Sequence, residues 1–303
     1  MNILLLGANG QVGHALRQSL APLGKVILAT RNGRLQDGGV CEIADFDRTD
    51  ALPALVARIA PDVVVNAAAY TAVDRAEDEP EAAFRANAEA PRVLAQACAA
   101  RDALLVHYST DYVFDGTATR PYREDDPTAP LGIYGASKLA GEEAVRTSDA
   151  RHIVLRTAWV YAAHGKNFLR TILRLAGERD ELRVVADQIG TPTSAALIAE
   201  TTRAILATAP TTSGLWHLTA EGSCSWYGFA EAIVARAQGA GLLERTPRVV
   251  AIDSEAYSTR ARRPAYSCLD TTRIMSEFGV ALPSWTLGLD DVLAELALSV
   301  KMR

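Results

Sequence analysis

Short apolar runs alternate with longer amphipathic stretches through the first half of the chain. The runs Asn2–Leu6, Lys25–Ala29, Val63–Val65, Leu104–His107 and His152–Leu155 read as strands, several of them apolar at every position. A strand apolar on both faces suits a parallel sheet covered on both sides. Between them, Gln11–Leu20, Leu52–Ile59, Glu81–Ala100 and Tyr134–Arg146 carry helical periodicity. This order predicts an α/β chain whose parallel sheet is doubly wound with helices, and ligands beyond the carboxyl ends of the strands. The second half is less regular. Helices are expected at Asn167–Glu178, Ala195–Ala207, Trp226–Ala237, Thr272–Phe278 and Leu287–Val300, and strands near Leu182–Ala186 and Leu215–Leu218. The pattern divides the chain into residues 1–160 and a smaller α/β unit over 161–303, with 195–220 returning to the first.

Length and charge narrow the class without naming a chemistry. The 303 residues suit one large or two modest domains. With 49% apolar and 22% charged residues, the chain has material for a core. A net charge of −5 argues against a general binder of nucleic acid or anionic membrane. No uncharged apolar run reaches membrane-spanning length, and the Met1–Gly7 opening lacks the basic flank of a signal peptide. Cys41, Cys98, Cys224 and Cys268 are scattered without a CxxC, and the five histidines form no metal-binding spacing. A cytoplasmic protein with reduced thiols and no metal is expected.

Chemistry enters at the strand ends. Gly7-Ala8-Asn9-Gly10-Gln11-Val12-Gly13 follows the first strand and opens the first helix. Glycines there permit a tight turn and close approach of a pyrophosphate to the free amides of a helix N-terminus. The second strand ends at Thr30-Arg31, with no acidic residue for a ribose, so Arg31 is a candidate partner for a 2′-phosphate and favours NADP over NAD. Asp45 and Phe46 suit an adenine. The small residues of Asn66-Ala67-Ala68-Ala69-Tyr70-Thr71 let backbone lie against a flat ligand. Tyr134 and Lys138 stand four residues apart on one helix face, where an ammonium would lower the phenol pKa. Thr110, just past a strand, offers a hydroxyl to the same substrate oxygen.

Gly7, Gly10, Gly13, Thr110, Tyr134 and Lys138 together resemble the extended short-chain dehydrogenase/reductase superfamily. More narrowly, "NAAAYTAVD", "HYSTDYVFDG" and "RTAWVYA" resemble the dTDP-4-dehydrorhamnose reductases, with matching stretches spread over almost the whole chain. The resemblance implies a Rossmann-type fold and NADPH as cofactor, with NADH open as a second. It implies cofactor contacts at Gly10, Gln11, Val12, Asp45, Phe46, Ala69, Tyr70 and Thr71. Sugar contacts are implied at Thr110, Asp111, Tyr134 and Trp159, with Tyr112 a further candidate. Hydride transfer to the C4 keto group of a dTDP-linked sugar would be completed by a proton from Tyr134. Lys138 would hold the nicotinamide ribose, and Thr110 would polarise the carbonyl. Arg262 and Arg263 are candidates for the diphosphate, Gln188 and Thr193 for the thymidine.

Some members of that family bind Mg²⁺ across a dimer through three glutamates. The matching positions here are Ala15, Ala196 and Glu295, so no such site is expected, and the chain is read as a monomer or a dimer not bridged by Mg²⁺. Two other readings stay open: another nucleotide-sugar reductase or epimerase, and a non-catalytic dinucleotide-binding regulatory subunit.

Overall fold

A computed structural model of the chain describes residues 1–301. The apolar runs of the first half become β1 (Asn2–Leu6), β2 (Lys25–Thr30), β4 (Val63–Asn66), β5 (Leu104–Thr110) and β6 (His152–Thr157), with a short β3 (Glu42–Ile43) between β2 and β4. The later strands are β7 (Val160–Tyr161), β8 (Glu181–Val185), β9 (Ile189–Gly190), β10 (Thr193–Ser194), β11 (Gly214–His217), β12 (Cys224–Ser225) and β13 (Arg248–Ile252). One seven-stranded sheet runs in the order β11-β6-β5-β4-β1-β2-β3. Every pairing in it is parallel. The order reverses between β1 and β4, which opens a crevice over their carboxyl ends. This is the doubly wound Rossmann-type sheet expected from the alternating pattern.

Helices α1 (Gln11–Ser19), α2 (Leu52–Ile59), α3 (Val73–Ala76), α4 (Pro80–Phe84), α5 (Ala90–Ala99) and α6 (Ile133–Arg146) belong to the first half. They are followed by α7 (Phe168–Glu178), α8 (Ala195–Ala207), α9 (Trp226–Gly239), α10 (Thr272–Phe278) and α11 (Trp285–Lys301). On one sheet face α2, α5 and α6 bury Leu55, Leu94 and Val145 against Leu4, Val64 and Leu105. On the other, α1 and α8 bury Leu16 and Ile198 against Ile3, Leu5 and Val65. A separate core around Leu169, Phe229 and Leu289 joins α7, α9 and α11 to the parallel pair β8–β13. Among the described residues no helix is long and apolar enough to cross a membrane.

Three differences from the sequence reading have local causes. The single helix expected over Glu81–Ala100 is broken by a π turn at Arg85–Glu89. Pro91 has no N–H to give the Asn87 carbonyl four residues back, and its ring crowds that carbonyl. β5 continues through His107 to Thr110, with all seven residues buried, because its polar end faces the protein interior. β13 was not anticipated although Val249–Ile252 is a short apolar run; none of its residues is fully buried.

Candidate active site

The crevice at the switch point is a cleft of about 570 Å³. Its middle is the turn after β1. Gly7 adopts φ +79°, and a Cβ there would come within 2.6 Å of the Ala68 amide nitrogen. A Cβ at Gly13 would lie 2.1 Å from the Gly7 carbonyl oxygen, so Gly13 serves the packing of α1 on the turn. Gly10 differs. A Cβ there would lie 3.3 Å from the Gly7 carbonyl oxygen, tight but far less crowded than at Gly7 or Gly13. Its missing side chain instead leaves the N-terminus of α1 open to the cleft, with no side-chain cap. The first-turn amides of Gln11 and Val12 have no intrahelical acceptor and stand at the positive end of the helix dipole. That opening fits a pyrophosphate.

Thr30, Arg31, Asn32, Ala44 and Phe46 line one end of the cleft. Arg31 is 78% exposed and only 4.0 Å from Asp45, leaving its guanidinium available to an anion. The Asp45 carboxylate accepts the Asp47 amide at 3.1 Å and does not line the cleft. Ala69 and Thr71 line it, while the Tyr70 phenol turns away to donate to Glu79 at 2.7 Å.

Tyr134 and Lys138 line the opposite end, with Tyr108, Ser109, Thr157 and Val160. Lys138 is 3% exposed and its Nζ donates to the Tyr108 carbonyl at 2.6 Å. Burial pulls the Lys138 pKa down to about 8, against the charge of Glu142. The Tyr134 phenol is pushed up to about 12 by burial, while the Thr110 hydroxyl pulls the other way. The expected lowering of the Tyr134 pKa by Lys138 is not found: desolvation and the charge of Asp111 raise it, and Thr110 is the group that opposes them. A phenol held at about 12 stays protonated at neutral pH, as a proton donor must.

Behind Tyr134, the Thr110 hydroxyl donates to Asp111 Oδ1 at 3.0 Å and accepts the Tyr112 amide at 3.2 Å. Asp111 Oδ2 is buried with no partner among the described residues. Burial pushes the Asp111 carboxyl up to about 6, with Ser267 and Thr110 opposing. Tyr112 meets the Tyr134 ring edge-on at 5.5 Å. Arg263 forks onto Asp74 at 2.8 and 3.2 Å, so the residue expected at a diphosphate holds a carboxylate beside α3. Arg262 is exposed and has no ion-pair partner among the described residues. Trp159, at φ +47°, stacks on Trp226 with ring centroids 3.4 Å apart and lies across Gly190. It belongs to the aromatic cluster of the second unit and is not among the cleft-lining residues. Gln188 donates to Ser254, and buried Thr193 donates to the Thr191 carbonyl.

Asn87 is a support that sequence reasoning missed. It holds the Tyr70 backbone through both its amide and carbonyl groups, at 3.0 and 2.9 Å, and donates to Ser137 of α6 at 3.0 Å. The Pro91 that breaks the helix at Asn87 was its one available signal.

A family profile described as RmlD substrate binding domain matches residues 1–298. The chain belongs to that family. A dTDP-4-dehydrorhamnose reductase of Burkholderia thailandensis is 50% identical over 294 residues, covering 94% of this chain and 95% of that protein. The Escherichia coli K12 protein of the same description is 44% identical, with 98% of each chain covered. A crystal structure of the Bacillus anthracis dTDP-4-dehydrorhamnose reductase in complex with NADP superposes with a TM-score of 0.87. It is 34% identical and the match covers 97% of this chain and 99% of that one. In this chain Gly7 and Gly10 of the glycine turn line the same cleft as Tyr134 and Lys138.

Proposed function

We propose that this chain is an oxidoreductase that reduces the C4 keto group of dTDP-4-dehydro-β-L-rhamnose to dTDP-L-rhamnose with NADPH, in the cytoplasm. The observation that carries the reading is the meeting of buried Tyr134 and Lys138 with the open α1 N-terminus in a single cleft, with Thr110 against Tyr134. The relatives supply the substrate class and the cofactor through what they are described as reducing and binding.

The bound cofactor supplies a hydride to the keto carbon. Gln11 and Val12 amides hold its pyrophosphate, Phe46 its adenine, and Arg31 its 2′-phosphate. The Tyr134 hydroxyl donates its proton to the sugar oxygen, so the carbonyl becomes an alcohol. Thr110, once its hydroxyl turns from Asp111, donates to the same oxygen, and Lys138 stabilises the phenolate left behind. Asp111 and Tyr112, in contact with Thr110 and Tyr134, would serve the sugar side. Arg262, unpaired at the surface, is the better candidate for a diphosphate, since Arg263 must first release Asp74. The seven-stranded unit holds the dinucleotide and the α7–α9–α11 unit the nucleotide-sugar. No bridging Mg²⁺ enters this reading, with Ala15 and Ala196 on α1 and α8.

The test follows NADPH absorbance at about 340 nm with dTDP-4-dehydro-β-L-rhamnose as substrate. Stoichiometric oxidation is expected. No oxidation with this sugar, but turnover of another nucleotide-linked ketosugar, would replace the substrate assignment.

A further inference from the structure

α6 presents Tyr134, Lys138 and Glu142 at four-residue intervals along one face. The first two reach the cleft; Glu142 lies one turn deeper and is fully buried. It is paired with Arg156 of β6, itself 1% exposed, through two hydrogen bonds at 2.9 and 2.7 Å. Arg156 directly precedes Thr157, a residue that lines the cleft. Its guanidinium sits 5.0 Å over the Phe114 ring, and its Nη1 lies 3.4 Å from His217 Nε2.

A buried ion pair is a weak source of fold stability. Two ions out of water cost more than their attraction returns unless geometry is very good, and apolar pairs of similar volume are often at least as stable. The pair has a neighbour that explains it: Lys138 sits in a dry floor, where an ammonium is disfavoured. The other titratable groups around the lysine do not supply a counter-charge at that depth. On β5, buried His107 is kept neutral by desolvation and by Lys138 itself, and Tyr108 offers its backbone carbonyl. On β11, His217 is held neutral by burial and by Arg156. Asp111, beyond the end of β5, bonds Thr110, and Glu124 accepts the His217 amide. Asp270 offers His217 a backbone carbonyl.

We propose that Glu142 and Arg156 are positioning residues for Lys138: the Glu142 carboxylate supplies the counter-charge one turn beneath the ammonium seated on the Tyr108 carbonyl, and the two Arg156 hydrogen bonds hold that carboxylate in place. The inference rests on the reductase reading for its consequence in turnover, and on the buried geometry alone for its effect on the lysine.

The chain has only four lysines, Lys25, Lys138, Lys166 and Lys301, so isotope-labelled lysine lets Lys138 be titrated by NMR in the full-length protein without substrate. In Glu142→Gln the Lys138 titration is expected to fall by about one pH unit, with the alkaline limb of kcat moving with it. Activity at pH 8 then drops about fourfold further than at pH 6.5, while KM for NADPH changes little. Glu142→Gln leaves Arg156 buried and unpaired, so the double variant Glu142→Leu, Arg156→Met provides a second test in which no charge is stranded. If that variant folds with wild-type Lys138 titration and pH profile, the pair is structural only and the proposal is overturned. A downward shift in it supports the proposal. If wild-type enzyme fails to oxidise NADPH with the ketosugar, the functional reading falls, whereas the lysine titration still decides this inference.

Discussion

Tyr134 and Lys138 carry opposite consequences of the same burial. Desolvation holds the phenol protonated and loosens the proton on the ammonium. Tyr134→Phe keeps the ring and removes the donor, so kcat is expected to fall about 10²- to 10⁴-fold with little change in Tm, measured by NADPH oxidation and thermal unfolding. Lys138 is charged below its pKa, so the rate should decline as pH rises through about 8, visible in a kcat profile from pH 6 to 10. Asp111 works in the other direction. A carboxyl raised to about 6 binds its proton more tightly folded than unfolded, so its contribution to stability falls as pH rises from about 4 to about 6. Asp111→Asn should therefore raise Tm at neutral pH by a few degrees while raising KM for the sugar; an unchanged or lower Tm would contradict the burial argument. The identities of Thr110, Tyr134 and Lys138 were legible from spacing. Their pKa directions were not, because spacing carries no information about desolvation.

At the level of elements, the three glycines of the first turn separate by what surrounds them. Gly13→Ala forces a Cβ to 2.1 Å from the Gly7 carbonyl, so it should destabilise the protein and weaken dinucleotide binding together. Gly10→Ala brings a Cβ to 3.3 Å from the Gly7 carbonyl oxygen, a tight contact that a small shift relieves, so Tm should fall far less than in Gly13→Ala while KM for NADPH rises at least about tenfold, read from thermal unfolding and steady-state kinetics. The motif marks all three alike. α6 shows a similar dependence: Gly141 has no room for a Cβ, with the Asn87 carbonyl 1.9 Å away, and this lets the helix dock on the π turn. Helices such as Leu52–Ile59 and Ala195–Ala207 were legible to the residue because their apolar stripes repeat without interruption. The π turn was not, since Pro91 signals a break and not its form.

Across the whole molecule, the second half returns to complete the first. β11 adds to the sheet edge beside β6, and α8 packs on α1. The loop at Arg260–Arg263 crosses back to α3: Arg260 bonds Asp78, the Ala261 amide donates to Asp74 at 3.1 Å, and Arg263 forks onto Asp74. Ala15 and Ala196 leave α1 and α8 without carboxylates there, so the sedimentation coefficient should be the same in Mg²⁺ and in EDTA. An EDTA-dependent change in mass would refute that reading.

Sequence by itself determined the parallel α/β sheet, the glycine turn and the Tyr-Lys pair, because each is written as local periodicity or fixed spacing along one helix or turn. Tertiary structure alone decided that Arg263 holds Asp74, that Trp159 stacks on Trp226, and that Glu142 meets Arg156 beneath Lys138. The partners in these contacts lie between 14 and 189 residues apart, on elements joined only by packing, and charge pairing and desolvation depend on that proximity in space.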